Sequence, residues 1–293
     1  MITRLRSAWP LVALVLAAAA VGCNHAVDTD AQGSEPVSEA AQAAEATTEG
    51  GGFHGMLGKG LDKINLRADQ QAAVEKIRAN LRAQGEPVRA ARQGFVVALA
   101  DRVAAGNVDE AGLAAPIARI SRAAEAFEPA FQGSLASLHA ALDPAQRQAL
   151  VAELRGHRGQ WHGRAGHKGH RRGMRRRLER LAAQLSLAAD QVATIRASLE
   201  AQGAQGPRDG AERPQEERGE RMHAVADAFP GEAFDPAALG VGKELPEQAT
   251  ARATHEVRFY AAVVPALNAA QRTKLAESLR SKGGAEQGAA EEE

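Results

Sequence analysis

Four histidines, His157, His162, His167 and His170, fall within one stretch, 155–180. Imidazoles suit zinc, copper or nickel, and a Gly-rich stretch can wrap around one ion. Their spacings of 5, 5 and 3 match no standard structural zinc site, and the stretch holds no Cys and no Asp. It carries ten Lys/Arg against the single acid Glu179, a net of +9 that would repel a metal. The composition supports two readings. One is a site for Zn, Cu or Ni. The other is a cationic, solvated linker drawn to anionic lipid headgroups or to acidic segments of its own chain. Trp161 lies among these residues and suits an interface.

No sequence pattern of nucleotide or hydrolytic chemistry accompanies the histidines. Gly58-Lys59-Gly60 falls short of a P-loop, and no G-x-S-x-G occurs. His255-Glu256 continues as Val-Arg-Phe rather than as a zinc-protease helix. The chain is expected not to be an enzyme. Its one cysteine excludes an intramolecular disulfide and a Cys-rich zinc module.

That cysteine ends a targeting pattern. Arg4 and Arg6 precede an apolar run over 11–20, too short for a transmembrane helix, which needs ~20 residues. Ala20-Val21-Gly22-Cys23 then resembles the lipobox of bacterial lipoproteins. This resemblance implies removal of 1–22 and lipid attachment at Cys23. Asn24 after it favours the outer membrane, with the chain facing the periplasm. Six acids and no Lys or Arg occupy 24–52, without apolar periodicity, so 23–52 is expected to be a disordered acidic tether.

Composition bounds the rest. A length of 293 residues allows about two domains at ~150 residues each. The 36 Lys/Arg balance 36 Asp/Glu, which removes bulk basicity as a ground for nucleic-acid binding, and no nucleic-acid partner is expected. Hydrophobic residues are 44% but aromatics only 3%, which points to helices with Ala-padded interfaces rather than a deep aromatic core.

An internal repeat organises the chain after the tether. Ile77-Arg78-Ala79-x-Leu81-x-Ala83-Gln84-Gly85 recurs 118 residues later at Ile195, with seven of nine positions matched. Leu142-x-x-Ala145-Gln146-Arg147 and its continuation to Arg155 recur 125 residues later from Leu267 to Arg280. Ala100-Asp101 aligns with Ala226-Asp227. The expected fold is all-α, with two tandem helical-hairpin domains at 53–155 and 174–282. A basic His/Gly-rich linker at 156–173 joins them, and a disordered acidic tail occupies 283–293. Ile117, Ile120, Ala124, Phe127, Phe131, Leu135 and Leu138 recur at steps of three and four, the mark of one long amphipathic helix. Pro129 and Gly133 should bend or weaken it. A helical hairpin is expected around 84–87, and a mobile loop over 203–221.

Four Leu-x-x-x-Gln starts stand in matching order, two per unit: Leu66/Gln70, Leu142/Gln146, Leu187/Gln191 and Leu267/Gln271. They resemble the LTxxQ motif of the Spy/CpxP family of periplasmic proteins. The family threonine is replaced by Arg67, Asp143, Ala188 and Asn268. Asp143 and Asn268 can still cap a helix, whereas Arg67 and Ala188 cannot. The resemblance implies a cradle-shaped antiparallel dimer that binds unfolded or misfolded envelope proteins without ATP. Two units in one chain then suggest an intramolecular pseudo-dimer, or a homodimer of such chains. Arg78, Arg82, Arg89, Arg92 and Arg196 lie on or beside the hairpin helices as candidate client-binding residues, or as ordinary solvated faces. The rival expectations are a metal-binding stress sensor that uses the histidines and modulates a sensor kinase, and a structural envelope lipoprotein.

Overall fold

The computed structural model describes residues 60–162, 167–205 and 212–291, and side chains over 60–156, 173–202 and 219–281. Residues 1–59, with the signal, Cys23 and the tether, lie outside the described residues. Within them the chain is helical and no strand occurs. The helices are α1 (Ala68–Gln84), α2 (Glu86–Ala105), α3 (Glu110–Ala141), α4 (Pro144–His162), α5 (His167–Leu185), α6 (Ala189–Gln205), α7 (Glu212–Ala228), α8 (Leu245–Val263) and α9 (Ala269–Glu291), with a 3₁₀ turn at Val264–Ala266 before α9. Among the described residues no helix is long and apolar enough to cross a membrane.

α3 is the longest element. Asp109 opens it, its Oδ1 accepting the Gly112 N–H at 2.6 Å. Pro116 and Pro129 each remove a helical donor, yet α3 runs unbroken through both and through Gly133. Its inward stripe, from Leu113 through Ile120 and Phe127 to Leu138, is buried along the whole length and holds it. Any bend or weakening at Pro129 and Gly133 leaves the helix continuous. The expected hairpin at 84–87 differs. Gly85 is right-handed helical (φ −80°), its N–H reaches Leu81 O at 2.9 Å, and Arg89 N–H returns to Gly85 O at 3.2 Å. Pro87 sits in the first turn of α2, where no helical donor is needed, so the backbone passes from α1 to α2 with little interruption. Both helices pack on α3 rather than on each other.

The apolar residues form two clusters, and each draws on both repeat units. In the first, Phe95, Leu99 and Val103 of α2 and Leu113 and Ile117 of α3 meet Leu178 and Leu181 of α5, Ile195 of α6, Val257, Phe259 and Val263 of α8, and Leu275 and Leu279 of α9. In the second, Val74 and Leu81 of α1, Phe127, Phe131 and Leu138 of α3, and Leu150 of α4 meet Val225 and Phe229 at the end of α7, with Val241 and Leu245 beyond it. Two units standing in tandem would each hold a core of their own; here neither does.

The crossings obey the repeat. α3 and α8 lie antiparallel, tied by Arg258 Nε to Glu110 Oε1 at 2.6 Å near one end and by Gln132 Nε2 to Val241 O at 2.9 Å near the other. α2 packs along α9, where Arg280 donates to Asp101 at 2.6 Å. The aligned residues make the counterpart pair, Arg155 of α4 with Asp227 of α7. Both pairs are exposed, so they report the arrangement more than they stabilise it.

Three segments expected to lack structure are largely helical. α4 continues to His162 and α5 begins at His167, which leaves only 163–166 of the linker outside the described residues. α6 continues to Gln205 and α7 begins at Glu212, within the expected loop at 203–221. α9 extends through the acidic tail to Glu291. Ala, Glu, Gln and Arg extend a helix already nucleated by packing at low cost, and a reading based on apolar periodicity misses such extensions.

A shared core predicts one cooperative unfolding transition. Phe95→Ala removes a fully buried ring of the first unit. It should cost about 3–5 kcal/mol and lower the urea midpoint of the whole chain. Two separated transitions, only one of them moved by F95A, would show that the units fold independently.

Candidate functional site: glutamine clasps and a small-residue groove

The four motif glutamines meet in two pairs. Gln70 Nε2 donates to Gln146 Oε1 at 2.7 Å, and Gln146 Nε2 donates back to Gln70 Oε1 at 2.8 Å. Each oxygen also accepts the backbone N–H three residues earlier, from Arg67 and from Asp143, both at 3.0 Å. Each remaining amide hydrogen goes to a carbonyl, Ala141 O at 2.9 Å and Asn65 O at 2.8 Å. Both amides thus use two donors and two lone pairs, the full capacity of the group. In the second unit Gln191 and Gln271 exchange the same bonds at 2.8 and 3.1 Å, with Ala188 and Asn268 supplying the N–H groups.

These pairs explain how a helix starts without the motif threonine. Asp143 and Asn268 cap in the ordinary way, each accepting the N–H of the glutamine three residues on at 2.9 Å. The side chains of Arg67 and Ala188 offer no acceptor, so there the glutamine supplies the cap bond, to the N–H three residues before it. Each pair clasps the start of α1 to that of α4, or α6 to α9. Of the motif leucines, Leu142 and Leu267 are buried, and Leu66 and Leu187 are half-buried beside the cores. An amide pair of this kind has no nucleophile or titrating group; its work is to fix geometry.

The arginine after the second glutamine of each unit completes the clasp. Arg147, 8% exposed, donates Nη1 to the carbonyls of His139 and Leu142 at the end of α3. Arg272 donates to Leu267 O at 3.0 Å. A cation suits the orphan carbonyls of a helix end. The repeated A-Q-R is the sequence signal for this role, which residue patterns alone left unassigned.

His139 carried no sequence signal of its role. It is buried, stacks on Phe234 with centroids 5.2 Å apart, and its Nε2 lies 2.9 Å from Gly231 O. This histidine belongs to packing. The four histidines singled out for metal fall on the end of α4 (His157, His162) and the start of α5 (His167, His170), and their side chains lie outside the described residues. Among the described residues no group of three or more His, Cys, Asp or Glu is placed to hold a metal.

The candidate arginines do not form one site. Arg78 pairs with Glu75 at 3.2 Å and Arg89 with Glu86 at 2.6 Å, each within a helix turn. Arg82 receives Arg89 Nη2 on its carbonyl at 2.7 Å. Arg92 crosses to Glu256 on α8 at 3.2 Å, and Arg196 is exposed on α6.

A groove of about 450 Å³ opens beside the α3–α8 crossing. Ala114, Ile117 and Ala118 line it together with Ser121, Thr250, Glu110 and Arg122. Spacing of 114, 118 and 121 at four and three was a legible sign of one small-residue face. Nearby, Arg177 of α5 lies over the Phe259 ring at 3.8 Å and within 5.4 Å of the Tyr260 centroid. Burial raises the Tyr260 phenol above its ordinary value near 10; Arg177 partly opposes this and Glu256 adds to it.

Comparison with protein-family models, with curated proteins and with solved structures finds no match to this chain.

Two measurements probe these contacts. A double-mutant cycle on Gln70→Ala and Gln146→Ala should give a coupling of about 1–2 kcal/mol, since either single change leaves a desolvated amide unpaired. The Gln191/Gln271 cycle should give less, because both side chains are half-buried where Gln70 is 2% exposed. Equal and negligible couplings would show that the clasp does not hold the helix starts together. Tyr260 is the only tyrosine, so the phenolate absorbance of the chain reports it alone. A raised folded-state value means that the stabilisation is present below about pH 10 and lost as pH rises through the folded value. The native chain should therefore titrate later than the urea-unfolded chain, and Arg177→Ala should delay it further.

Proposed function

We propose that this chain is an ATP-independent, chaperone-like protein of the cell envelope, lipid-anchored through Cys23 at the outer membrane and facing the periplasm. It holds apolar segments of unfolded or misfolded envelope proteins by weak, reversible contact, with no chemical step. The two repeat units act as the two halves of an intramolecular pseudo-dimer. The lipobox pattern supports the anchor, and the four Leu-x-x-x-Gln starts support the Spy/CpxP-like reading.

The observation that carries the client-binding part is the groove between α3 and α8. Ala114, Ile117 and Ala118 give it a small apolar lining, and Glu110, Arg122, Ser121 and Thr250 add charged and hydroxyl side chains. Such a surface accepts many apolar side chains at modest affinity, because little area is removed from water and no deep pocket selects one shape. Residues of both units line it, which suits a pseudo-dimer: α3 comes from the first and Thr250 from the second.

Filling the groove tests this reading. The native chain should slow aggregation of a reduced, unfolding client, with or without chelator. Ala114→Trp with Ala118→Trp should raise the concentration for half-protection about tenfold, the equivalent of about 1.4 kcal/mol. Protection untouched by both tryptophans would refute the groove as the client site. Protection abolished by chelator would point instead to the histidines of α4 and α5.

A further inference from the structure

α5 is the most unevenly charged of the described helices. Over His167–Leu185 it carries seven Lys/Arg and one acid, Glu179. Its inner side is apolar: Leu178, Leu181 and Leu185 are buried in the first cluster, with Met174 packed beside them. Its outer side holds Arg175, Arg176 and Arg180, all exposed. Arg175 is 75% exposed and pairs with Glu179 at 2.7 Å on the same helix, so the face keeps its positive sign. Lys168 and Arg172 precede Arg175 on the same helix by seven and three residues. Arg177 is the exception, turned onto Phe259.

We propose that this outer face of α5 docks on an anionic phospholipid surface, its arginines engaging headgroup phosphates. Six of the seven cations are Arg, whose planar fork binds phosphate oxygens in pairs. Among the residues of α5 whose side chains are described, the exposed positions beyond the arginines are Gly173, Glu179, Ala183 and Gln184, with no large apolar side chain to anchor a protein partner. Length also fits. The 36 residues of 24–59 span at most about 120–130 Å, so a lipid on Cys23 and the face of α5 can reach one bilayer. The acidic segment 24–52 is repelled by that bilayer, which leaves α5 as the contact. The choice of membrane rests on the proposed envelope function; the binding chemistry does not.

All described contacts lie within 60–291, so a chain beginning at Asn24 keeps them and lacks both the apolar run and Cys23. This chain should sediment with vesicles of mixed phosphatidylglycerol and phosphatidylcholine at least about tenfold more tightly than with phosphatidylcholine alone, and added salt should weaken it. Arg175→Gln, Arg176→Gln and Arg180→Gln together should weaken binding about 100-fold, at roughly fivefold per charge. The control Lys76→Gln, Arg119→Gln, Lys274→Gln removes three exposed cations elsewhere and should weaken it far less. Helix content and the Tyr260 titration verify the fold. If the triple variant unfolds, R175Q/R180Q is read instead, with about a 25-fold loss expected. Equal binding to both vesicle types, or equal loss in the control, overturns the proposal. So does capture of a synthetic 24–52 peptide with no vesicle binding, which would assign the face to the chain's own acidic segment. The groove variant A114W/A118W leaves α5 untouched, so failure of client holding and failure of lipid docking are read separately.

Discussion

An apolar stripe on a helix is stable only against another stripe of matching length, and α3 sets that length here. Its buried side runs from Leu113 to Leu138, where α1 and α2 pack along it and α8 packs on it as well. The far part is closed by Val225, Phe229 and Val241, and the near part by Val257, Phe259 and Val263. These all belong to the second unit. Every other placement depends on this burial. α9 must lie on α2, the end of α7 must meet α4, and the Asp101–Arg280 and Arg155–Asp227 pairs fall where the repeat puts them. The glutamine clasps then fix the angle at which each outer helix leaves its turn.

Much of this was legible in the residues. The repeat and the 3.6-residue apolar period pointed to the helical class, to the part of α3 from Ile117 to Leu138 and to the starts at Asp143 and Asn268. What the repeat could not reveal is which copy of a matching surface each stripe would find. Phe95 reads the same whether it packs on its own unit or on Val257, because burial is a property of the face and not of the partner. Pro129 leaves the helix continuous because its local cost, about 3 kcal/mol in an exposed helix interior, is outweighed where Phe127 and Phe131 are buried on either side of it. Gly85 misled because glycine permits a sharp turn without requiring one.

Charge shows the same split between local and global reading. The chain sums to zero, but as unlike blocks: six acids without a base over 24–52, +9 over 155–180 and −3 over 282–293. Folding turns the middle block from an expected loose linker into the ends of two helices. A helix fixes cations three and four residues apart on one side, whereas a coil would spread them in all directions. Arg175, Arg176 and Arg180 thereby stand on the exposed side of α5.

The two units are unequal at the point that matters for the groove. Asp109 and Asp235 align, and both cap the segment after them, Asp235 Oδ1 accepting from Ala237 and Ala238 at 2.9 and 3.1 Å. After Asp109 a helix runs on for 32 residues. After Asp235 the chain turns instead, with Gly240 and Gly242 at φ +65° and +89°, and α8 begins only at Leu245. A Cβ on Gly242 would lie 3.1 Å from Glu128 Cγ, so both the backbone and the space there suit glycine. The turn drops Val241 and Leu245 into the second cluster against Phe131. In the first unit the aligned stretch of α3 stays helical, and Ala114 and Ala118 line the groove. A perfect repeat would treat both sides alike. Divergence at 240–242 closes one side with apolar side chains and leaves the other open, the asymmetry that the proposed client binding would use.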